Sequence, residues 1–281
     1  MSVLPRVLMR SRVHPVPPSV NMTRFLQAFV TPSNGNLCHS FLASTLSRKW
    51  LGAGVREKFP SKFPAGTPGL IIFDCDGVLV DSEVISIAVD EIVLADLGWR
   101  IDADEIITRF VGRSHDHFLK VVEEHSGYKL PDDWEDSYQH LYREAMLRDL
   151  RPVAGIMDAL DLIKVPSCVA SNGSHEKMQF TLGLTGLLPQ FQGRIFSASE
   201  VARGKPAPDL FLHASSTLGY EPSDCVVVED SVAGVQAALA ANMKVIAYAG
   251  GVTPREQLEF ANVPVIENMS ELPHILEKMI K

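Results

Sequence analysis

Two acidic residues follow a short apolar run at a spacing that suits phosphoryl or metal chemistry. The run 69–73 is apolar and ends abruptly in Asp74, with Asp76 two positions later. Two carboxylates this close repel each other unless a cation or a shared proton lies between them. One carboxylate can attack phosphorus as a nucleophile while the other moves protons. A turn or helix cap after a strand is the alternative, and for this pair alone it is the stronger interpretation.

Two polar segments further along the chain contain residue types that bind anions. Ser171 and Asn172 stand between an apolar stretch and a helical pattern, where a hydroxyl, an amide and helix N–H groups can hold phosphate oxygens. Lys205 lies between Gly204 and Pro206 just before another helix, where an ammonium neutralises an anion as a point charge. A plain helix N-cap in the first segment and a solvated lysine in the second are the alternatives.

A second acidic pair comes directly after three consecutive valines. The run 226–228 is typical of a buried strand, and it delivers Glu229 and Asp230 side by side to its end. Carboxylate oxygens suit Mg²⁺, which binds one or two carboxylates together with substrate phosphate. Asp230 as a helix N-cap is the alternative, but two acids immediately after an all-apolar strand fit that interpretation less well.

The elements that must position these residues alternate between strand and helix in the second half of the chain. This alternation predicts a parallel sheet with helices on both faces. Ligands bind at the carboxyl ends of such strands, so we expect the four segments to lie close together. The pattern predicts strands at 69–73, 167–170, 194–197, 225–228 and 244–247, and helices at 155–164, 176–182, 209–218 and 232–241.

Residues 82–150 show helical patterns and no strand signal, which predicts an all-helical segment inserted after the first strand. The fold class is therefore predicted to be α/β, with a Rossmann-like parallel sheet core and an inserted all-helical cap domain. The predicted core comprises residues 69–81 and 151–281, and the predicted cap comprises residues 82–150. Within the cap, helices are predicted at 84–95, 103–111, 116–124 and 132–150, with Pro131 opening the last one.

Charge divides the chain of 281 residues into two unlike parts. The formal net charge of the whole chain is −8. Residues 1–68 carry nine Lys or Arg against one acid, Glu57, whereas residues 69–281 carry 17 basic and 33 acidic side chains, a net of −16. This balance argues against a nucleic-acid partner. The sequence contains no run of eighteen apolar residues, so no membrane-spanning helix is predicted.

The basic tail, residues 1–68, has eight prolines and no steady periodicity, which is the composition of an organelle transit peptide. Translation upstream of the true start and a disordered appendage are the alternatives. The cytoplasm is the expected compartment, with a mitochondrion or plastid as the alternative if the tail is a transit peptide. Cys75, Cys168 and Cys225 lie in or beside apolar runs, which is typical of reduced core residues.

In this order, and each after a predicted strand, the four segments resemble the haloacid dehalogenase-like hydrolase superfamily, in its subfamily with a helical cap inserted after the first motif. The resemblance covers residues 69–281, and the stretches 74–82 and 229–234 carry it most specifically. The Ser-Asn-Gly of the second motif is most similar to that of sugar-phosphate phosphatases, including the 6-phosphogluconate type.

The resemblance implies a role for each motif residue. Asp74 would be the nucleophile and a Mg²⁺ ligand. Asp76 would be the general acid and base, and its backbone carbonyl would also bind the metal. Ser171 and Asn172 would bind phosphate, and Lys205 would hold both the transferring phosphoryl group and the nucleophile.

The same resemblance completes the metal site and assigns the cap. Asp230 would be the remaining direct Mg²⁺ ligand, and Glu229 a direct or water-mediated one. The cap would close on the substrate and exclude water. Arg113 lies in the segment that would set substrate specificity, although a solvated surface arginine explains it equally well.

The function that follows is a Mg²⁺-dependent phosphatase that hydrolyses a small phosphorylated metabolite, a sugar or sugar-acid phosphate, through an aspartyl-phosphate on Asp74. The main alternative is a phosphomutase of the β-phosphoglucomutase type, but such enzymes carry a histidine where this chain has Ser86. A 2-haloacid dehalogenase would lack Asp76. A non-catalytic fold is the third alternative. A monomer is the default state for this cap class.

Overall fold

A six-stranded parallel sheet forms the centre of the protein in the computed structural model. The structure describes residues 68–111, 113, 115–134 and 136–279. The strands are β1 Leu70–Phe73, β2 Ser167–Ser171, β3 Ile195–Ser197, β4 Cys225–Glu229, β5 Lys244–Tyr248 and β6 Val265–Ile266. Their order is β3-β2-β1-β4-β5-β6, and all neighbouring pairs are parallel, which confirms the predicted α/β fold class.

Helices surround this sheet. Those within the described residues are α1 Glu83–Asp96, α2 Ala103–Phe110, α3 His115–Ser126, α4 Asp136–Asp149, α5 Ile156–Leu162, α6 His175–Leu184, α7 Leu188–Phe191, α8 Asp209–Leu218, α9 Val232–Ala240, α10 Arg255–Leu258 and α11 Leu272–Met279.

The side chains of β1 alternate between two buried layers, one on each face of the sheet. Ile71 and Phe73 pack in a core with residues of α5, α6, α7 and α11. Leu70 and Ile72 pack in a second core with residues of α8, α9 and α10. A strand that is buried on both faces needs apolar side chains at every position, which explains the continuous apolar run. β1 is thus a central strand that is buried on both faces, with β2 and β4 on either side.

Helices α1 to α4 form a helical segment, residues 83–149, with no strand among its described residues. This segment has an apolar core of its own, which includes the fully buried Leu94. Two connecting stretches join it to the sheet and pair with each other: the Asp81 N–H donates to the Arg151 carbonyl at 2.9 Å, and the Val153 N–H donates to the Leu79 carbonyl at 3.0 Å. The predicted domain boundaries themselves stay predictions.

The structure differs from the predicted elements where local signals are weak. Helix α4 begins at Asp136 rather than at 132, because the residues after Pro131 form a turn in which the Trp134 N–H donates to the Pro131 carbonyl at 3.0 Å. Strands β2 and β4 each extend one residue further, to Ser171 and Glu229. No prediction was made for α7, α10, β6 and α11; the first three have four residues or fewer and carry little periodicity, whereas α11 has eight residues and an apolar face that the sequence does show.

The remaining sequence predictions concern the N-terminal tail, the cysteines and membrane-spanning helices. The predicted tail, apart from Pro68, lies outside the described residues. Cys75, Cys168 and Cys225 are buried free thiols, as predicted. Among the described residues, no helix has the length and apolar character that crossing a membrane requires.

Candidate active site

Three adjacent strand ends bring the predicted site residues together. Asp74 directly follows β1, Ser171 ends β2 and Glu229 ends β4. The chain leaves β1 toward β2 and β3, then returns to β4 on the other side of β1. At such a switch point the loops diverge and leave a crevice, which is where open parallel sheets bind their ligands.

Lys205 pairs with two carboxylates in this crevice. Its ammonium donates to Asp74 Oδ1 at 2.5 Å and also to an oxygen of Glu229. The lysine side chain is 3% exposed, so water hardly competes for these bonds. Burial alone would lower the pKa of the ammonium, but Asp74 and Glu229 hold that pKa above its usual value. Lys205 therefore stays charged and fixes the Asp74 carboxylate.

Asn172 holds the loop that carries Lys205. The side-chain carbonyl of Asn172 accepts from the Lys205 N–H at 2.9 Å, and its amide donates to the Lys205 carbonyl at 3.3 Å. Gly204 permits this approach, because a Cβ at that position would lie 2.6 Å from Asn172 Oδ1. The amide group expected to bind phosphate is thus engaged with the lysine loop, and its contact with phosphate stays a prediction.

Ser171 and its neighbours shape the loop between β2 and α6. The buried Ser171 hydroxyl accepts from the Gly173 N–H at 3.1 Å. The Ser197 hydroxyl donates to the Gly173 carbonyl at 2.7 Å, which ties the loop to the end of β3. Ser174 caps α6 by accepting from the Lys177 N–H at 3.2 Å. The loop is therefore held on both sides, as a preorganised binding loop requires.

Glu229 is fully buried and both of its carboxylate oxygens are engaged. Oε1 accepts from Lys205, and Oε2 accepts from the Ser231 N–H at 3.0 Å and from the Ser231 hydroxyl at 2.9 Å. Gly234 leaves room for this arrangement, since a Cβ there would lie 1.9 Å from the Glu229 carboxyl carbon. Of the two predicted alternatives, the water-mediated metal contact suits Glu229 better than direct ligation.

Asp76 is held by two groups outside the predicted site residues. The Ser82 hydroxyl donates to Oδ1, and the Lys177 ammonium donates to Oδ2 at 2.9 Å. Burial raises the pKa of Asp76, but Lys177 and Ser82 outweigh burial and leave the pKa below its usual value. Asp76 is therefore ionised at neutral pH in this conformation. The sequence gives no signal that a single lysine within a helix faces a carboxylate, so Lys177 was not predicted as a site residue.

Asp230 contributes a buried carboxylate oxygen that lacks a partner. Its side chain is fully enclosed, and Oδ2 has no hydrogen-bond partner among the described residues. Ligand oxygens of Asp74, Glu229 and Asp230 lie within 4.8 Å of one another. Burial, together with the neighbouring acids, raises the pKa of Asp74 to about 7 and that of Asp230 well above its usual value. A divalent cation would offset this negative charge, so these residues fit Mg²⁺.

A further acid, Glu83, approaches the cluster from the first turn of α1. Its buried Oε2 meets no hydrogen-bond donor among the described residues when both acids are ionised, and Glu83 shares a hydrogen bond with Asp230 when one of the two carboxyl groups is protonated. Both Glu83 and Asp230 crowd Gly77, where a Cβ would lie 2.0 Å from Asp230 Oδ2 and 2.8 Å from Glu83 Oε2. Burial raises the pKa of Glu83 to about 8. The helical segment therefore adds to the site a further carboxyl group that the motif residues alone did not predict.

The strand ends open into a cavity of about 920 Å³ lined by residues of both the sheet edge and the helical segment. This volume is in the range of small-molecule sites. Within it, the Tyr142 hydroxyl donates to Asp90 Oδ1, and burial raises the pKa of Asp90 to about 6. Arg113 lies on the connection between α2 and α3 with an exposed side chain. All the predicted site residues line this cavity: Asp74, Asp76, Arg113, Ser171, Asn172, Lys205, Glu229 and Asp230.

The fold and the carboxylate–lysine arrangement agree with a single family. The model of the haloacid dehalogenase-like hydrolases matches residues 68–242, and the chain belongs to this family. The 6-phosphogluconate phosphatase of Escherichia coli is 31% identical over 209 residues, which is 73% of this chain and 93% of that protein. The probable pseudouridine-5'-phosphatase of Drosophila melanogaster is 33% identical over 185 residues, 62% of this chain and 79% of that protein. The expected enzyme class, a phosphoric monoester hydrolase, is confirmed.

Solved structures agree with this assignment. A haloacid dehalogenase-like protein from Agrobacterium tumefaciens has a TM-score of 0.66 and 36% identity, covering 76% of this chain and 99% of its own. A hydrolase of the same family from Deinococcus radiodurans, with bound phosphate and sodium, has a TM-score of 0.61 and 31% identity, covering 76% of this chain and 97% of its own.

We predict that Mg²⁺ stabilises the folded protein more at pH 8 than at pH 6. The pKa of Asp74, raised to about 7, means that ionisation destabilises the metal-free fold as pH rises through 7. Bound Mg²⁺ removes this penalty, and it stabilises by about 2.7 kcal/mol at one hundred times its Kd. Thermal unfolding with MgCl2 and with EDTA at both pH values measures the difference. Asp230→Asn should lose most of the response; an unchanged response in that variant would place the metal elsewhere.

We predict that Asp90→Asn makes stability less dependent on pH. The pKa of Asp90 is raised from 3.8 to about 6, so its contribution to stability is complete below pH 4 and is lost as pH rises through 6. Wild type should therefore lose up to about 3 kcal/mol relative to the variant across this window. Urea unfolding at several pH values measures this loss. Asp96→Asn, an exposed position on the same helix, is the control. Parallel pH profiles for wild type and Asp90→Asn would contradict the prediction.

Proposed function

We propose that the protein is a Mg²⁺-dependent phosphatase that hydrolyses a sugar or sugar-acid phosphate through an aspartyl-phosphate on Asp74. The observation that carries the proposal is the buried ion pair of Lys205 with Asp74, next to the unpartnered oxygen of Asp230 and open to a cavity. A carboxylate nucleophile needs its charge available while the incoming phosphate is neutralised, and this arrangement supplies both conditions.

In the first half of the reaction, a carboxylate oxygen of Asp74 attacks phosphorus, and the bond from phosphorus to the leaving alkoxide oxygen breaks. Asp76 in its protonated form gives its proton to that oxygen, so the product leaves as an alcohol. Lys205 stays charged and neutralises the phosphoryl oxygens while it holds Asp74 in place. Ser171 and the loop that follows it hold the remaining phosphoryl oxygens.

In the second half, water attacks phosphorus of the aspartyl-phosphate. Asp76, now ionised, takes a proton from this water, and the bond between phosphorus and the Asp74 oxygen breaks. Inorganic phosphate leaves and Asp74 is regenerated as a carboxylate, while Asp76 is protonated again for the next cycle. The contact of Asp76 with Lys177 favours the ionised form. We assign the release of Lys177 from Asp76 to the incoming phosphate, which competes for the ammonium.

Asp74, Asp230 and the backbone carbonyl of Asp76 would hold Mg²⁺, with Glu229 in contact through water. Bound Mg²⁺ supplies Lewis-acid stabilisation of the charge that develops on the phosphoryl oxygens. Glu229 has a second role in this proposal, because its contact with Lys205 keeps that ammonium charged and oriented.

The helical segment acts as the cap in this proposal, and Arg113 contributes to its substrate specificity. Paired connecting stretches join it to the sheet, and closure over the cavity would exclude water from the reacting groups. Asp90, Tyr142 and Ser86 line the cavity and offer hydrogen bonds to sugar hydroxyls.

The hydrolase is favoured over the two related activities by residues in the cavity. Ser86 lines the cavity at the position where mutases of the β-phosphoglucomutase type have a histidine, and a serine hydroxyl does not titrate near neutral pH. A dehalogenase needs no acid for its leaving halide, whereas Asp76 is present and held by two partners. The E. coli relative is named a 6-phosphogluconate phosphatase, which supports a sugar-acid phosphate.

The remaining parts of the proposal concern the oligomeric state, the partners and the cellular compartment of the enzyme. We propose a monomer without nucleic-acid or membrane partners, in the cytoplasm. A plastid or mitochondrion is the alternative: one Arabidopsis relative is named chloroplastic, although this chain spans only 18% of it, and another is named mitochondrial.

We predict that phosphate release requires Mg²⁺ and Asp74. Release from a panel of sugar, sugar-acid and short-chain phosphates should be abolished by EDTA and should fall roughly a thousandfold or more in Asp74→Asn, since an amide is a poor nucleophile. Asp158→Asn, an exposed position on α5, is the matched control and should behave as wild type. Conversion of a hexose 1-phosphate to its 6-phosphate with little free phosphate would instead indicate a mutase. Full activity of Asp74→Asn would exclude Asp74 as nucleophile.

A further inference from the structure

The cavity contains nitrogen-bearing side chains that take no part in the proposed chemical steps. The positively charged Arg113 and Arg143, and also His140, line it together with the catalytic groups. Within the described part of the chain, none of these three side chains forms a hydrogen bond or ion pair with a carboxylate. Four exposed arginines elsewhere are paired with acids, namely Arg109 with Glu105, Arg148 with Asp149, Arg203 with Asp209 and Arg255 with Glu259, whereas the exposed Arg100 and Arg151 have no carboxylate partner among the described residues.

The unpaired guanidinium groups bear on what the cavity can bind. Residues 69–281 have a net charge of −16, and an arginine that lines the cavity without a carboxylate partner is available to an anion that enters it. Guanidinium groups that line one cavity without carboxylate partners favour the binding of an anion there. Lys205 does not supply this function at the helical segment, since its ammonium is committed to Asp74 and Glu229.

Arg143 is the cavity arginine with a described side-chain contact. Its guanidinium carbon lies 4.5 Å from the ring centroid of Phe180, a residue of α6, in a cation–π contact. Its guanidinium forms no hydrogen bond or ion pair among the described residues, so its N–H groups are available. The N–H groups of a guanidinium form a fork that matches a carboxylate or a phosphate with two parallel hydrogen bonds. His140 lies three residues before Arg143 on α4, and residues at this spacing are neighbours on one helix face.

The groups near Arg143 suit a polyhydroxylated chain. Asp90 accepts from the Tyr142 hydroxyl and lines the cavity with Ser86 and Gln139. Carboxyl, amide and hydroxyl groups of this kind bind sugar hydroxyls as donors and acceptors. The cavity therefore combines a phosphoryl-transfer site at the strand ends, hydrogen-bonding groups for hydroxyls, and cations on the helical segment.

We propose that Arg143, assisted by His140 and Arg113, binds a second anionic group of the substrate on the helical-segment side of the cavity. The preferred substrate is then a polyhydroxylated phosphate monoester that carries an additional carboxylate or phosphate. This inference rests on the proposed phosphatase function and narrows its substrate class.

The test compares kcat/KM for three substrates that share a cleavable phosphate. 6-Phosphogluconate has a distal carboxylate, fructose 1,6-bisphosphate has a second phosphate, and glucose 6-phosphate has an uncharged distal end. Wild type should prefer one of the first two over glucose 6-phosphate by roughly tenfold or more, as expected for a charge-assisted pair of hydrogen bonds. The preferred member of the pair identifies the second anion as carboxylate or phosphate.

Variants then assign this preference to Arg143. In Arg143→Ala the preference ratio should fall roughly tenfold, mainly through KM, and Arg143→Lys should restore part of it. Arg148→Ala removes an arginine from the same helix that is paired with Asp149 and does not line the cavity, so its ratio should match wild type. Thermal unfolding checks that each variant is folded.

The outcomes separate this inference from the proposed function. If wild type hydrolyses all three esters equally well, or if Arg143→Ala lowers kcat/KM for all three by the same factor, the second anion site is wrong while the phosphatase stands. If wild type releases no phosphate from any substrate with Mg²⁺ present, the proposed function fails, and the second anion site fails with it.

Discussion

The buried contact of Lys205 with Asp74 and Glu229 is the interaction on which the rest of the site depends. Three charged groups share an enclosed space at the ends of β1 and β4, and each is tolerated there because the others neutralise it. Without the lysine, two carboxylates would face each other unscreened. The register of β1 against β4, the Asn172 contact to the lysine loop and the space left by Gly234 all serve to keep this triad intact.

Around this triad the site remains short of positive charge. Asp230 and Glu83 add two further buried carboxyl groups, and burial raises the pKa values of Asp74, Asp230 and Glu83. In the proposed function this imbalance favours a divalent cation and, through it, an anionic substrate, even though the body of the protein is strongly acidic. The cost of burying these carboxyl groups in the free protein is what a bound cation would offset.

The sheet edge and the helical segment contribute different kinds of groups to the cavity. The sheet edge holds its groups by short contacts between rigid strand ends, as positioning of a phosphoryl group requires. The helical segment contributes side chains at the surface of the cavity, such as Asp90, Tyr142 and Arg143. In the proposed function, the phosphoryl chemistry and the recognition of a particular substrate therefore lie on different parts of the fold.

The sequence by itself determined the sheet core and the motif residues. Apolar runs such as 70–73 and 226–228 have no alternation because both faces of their strands are buried, and parallel strands necessarily bring the residues after them to one edge. Only the tertiary structure decided which further side chains join that edge. Lys177 meets Asp76 across 101 positions of the chain. Glu83, Lys177 and Arg143 lie on helices, and their neighbours in the sequence do not show whether such a charged side chain is exposed or buried. The packing of each helix, and not its helix propensity, decides which face meets the cavity.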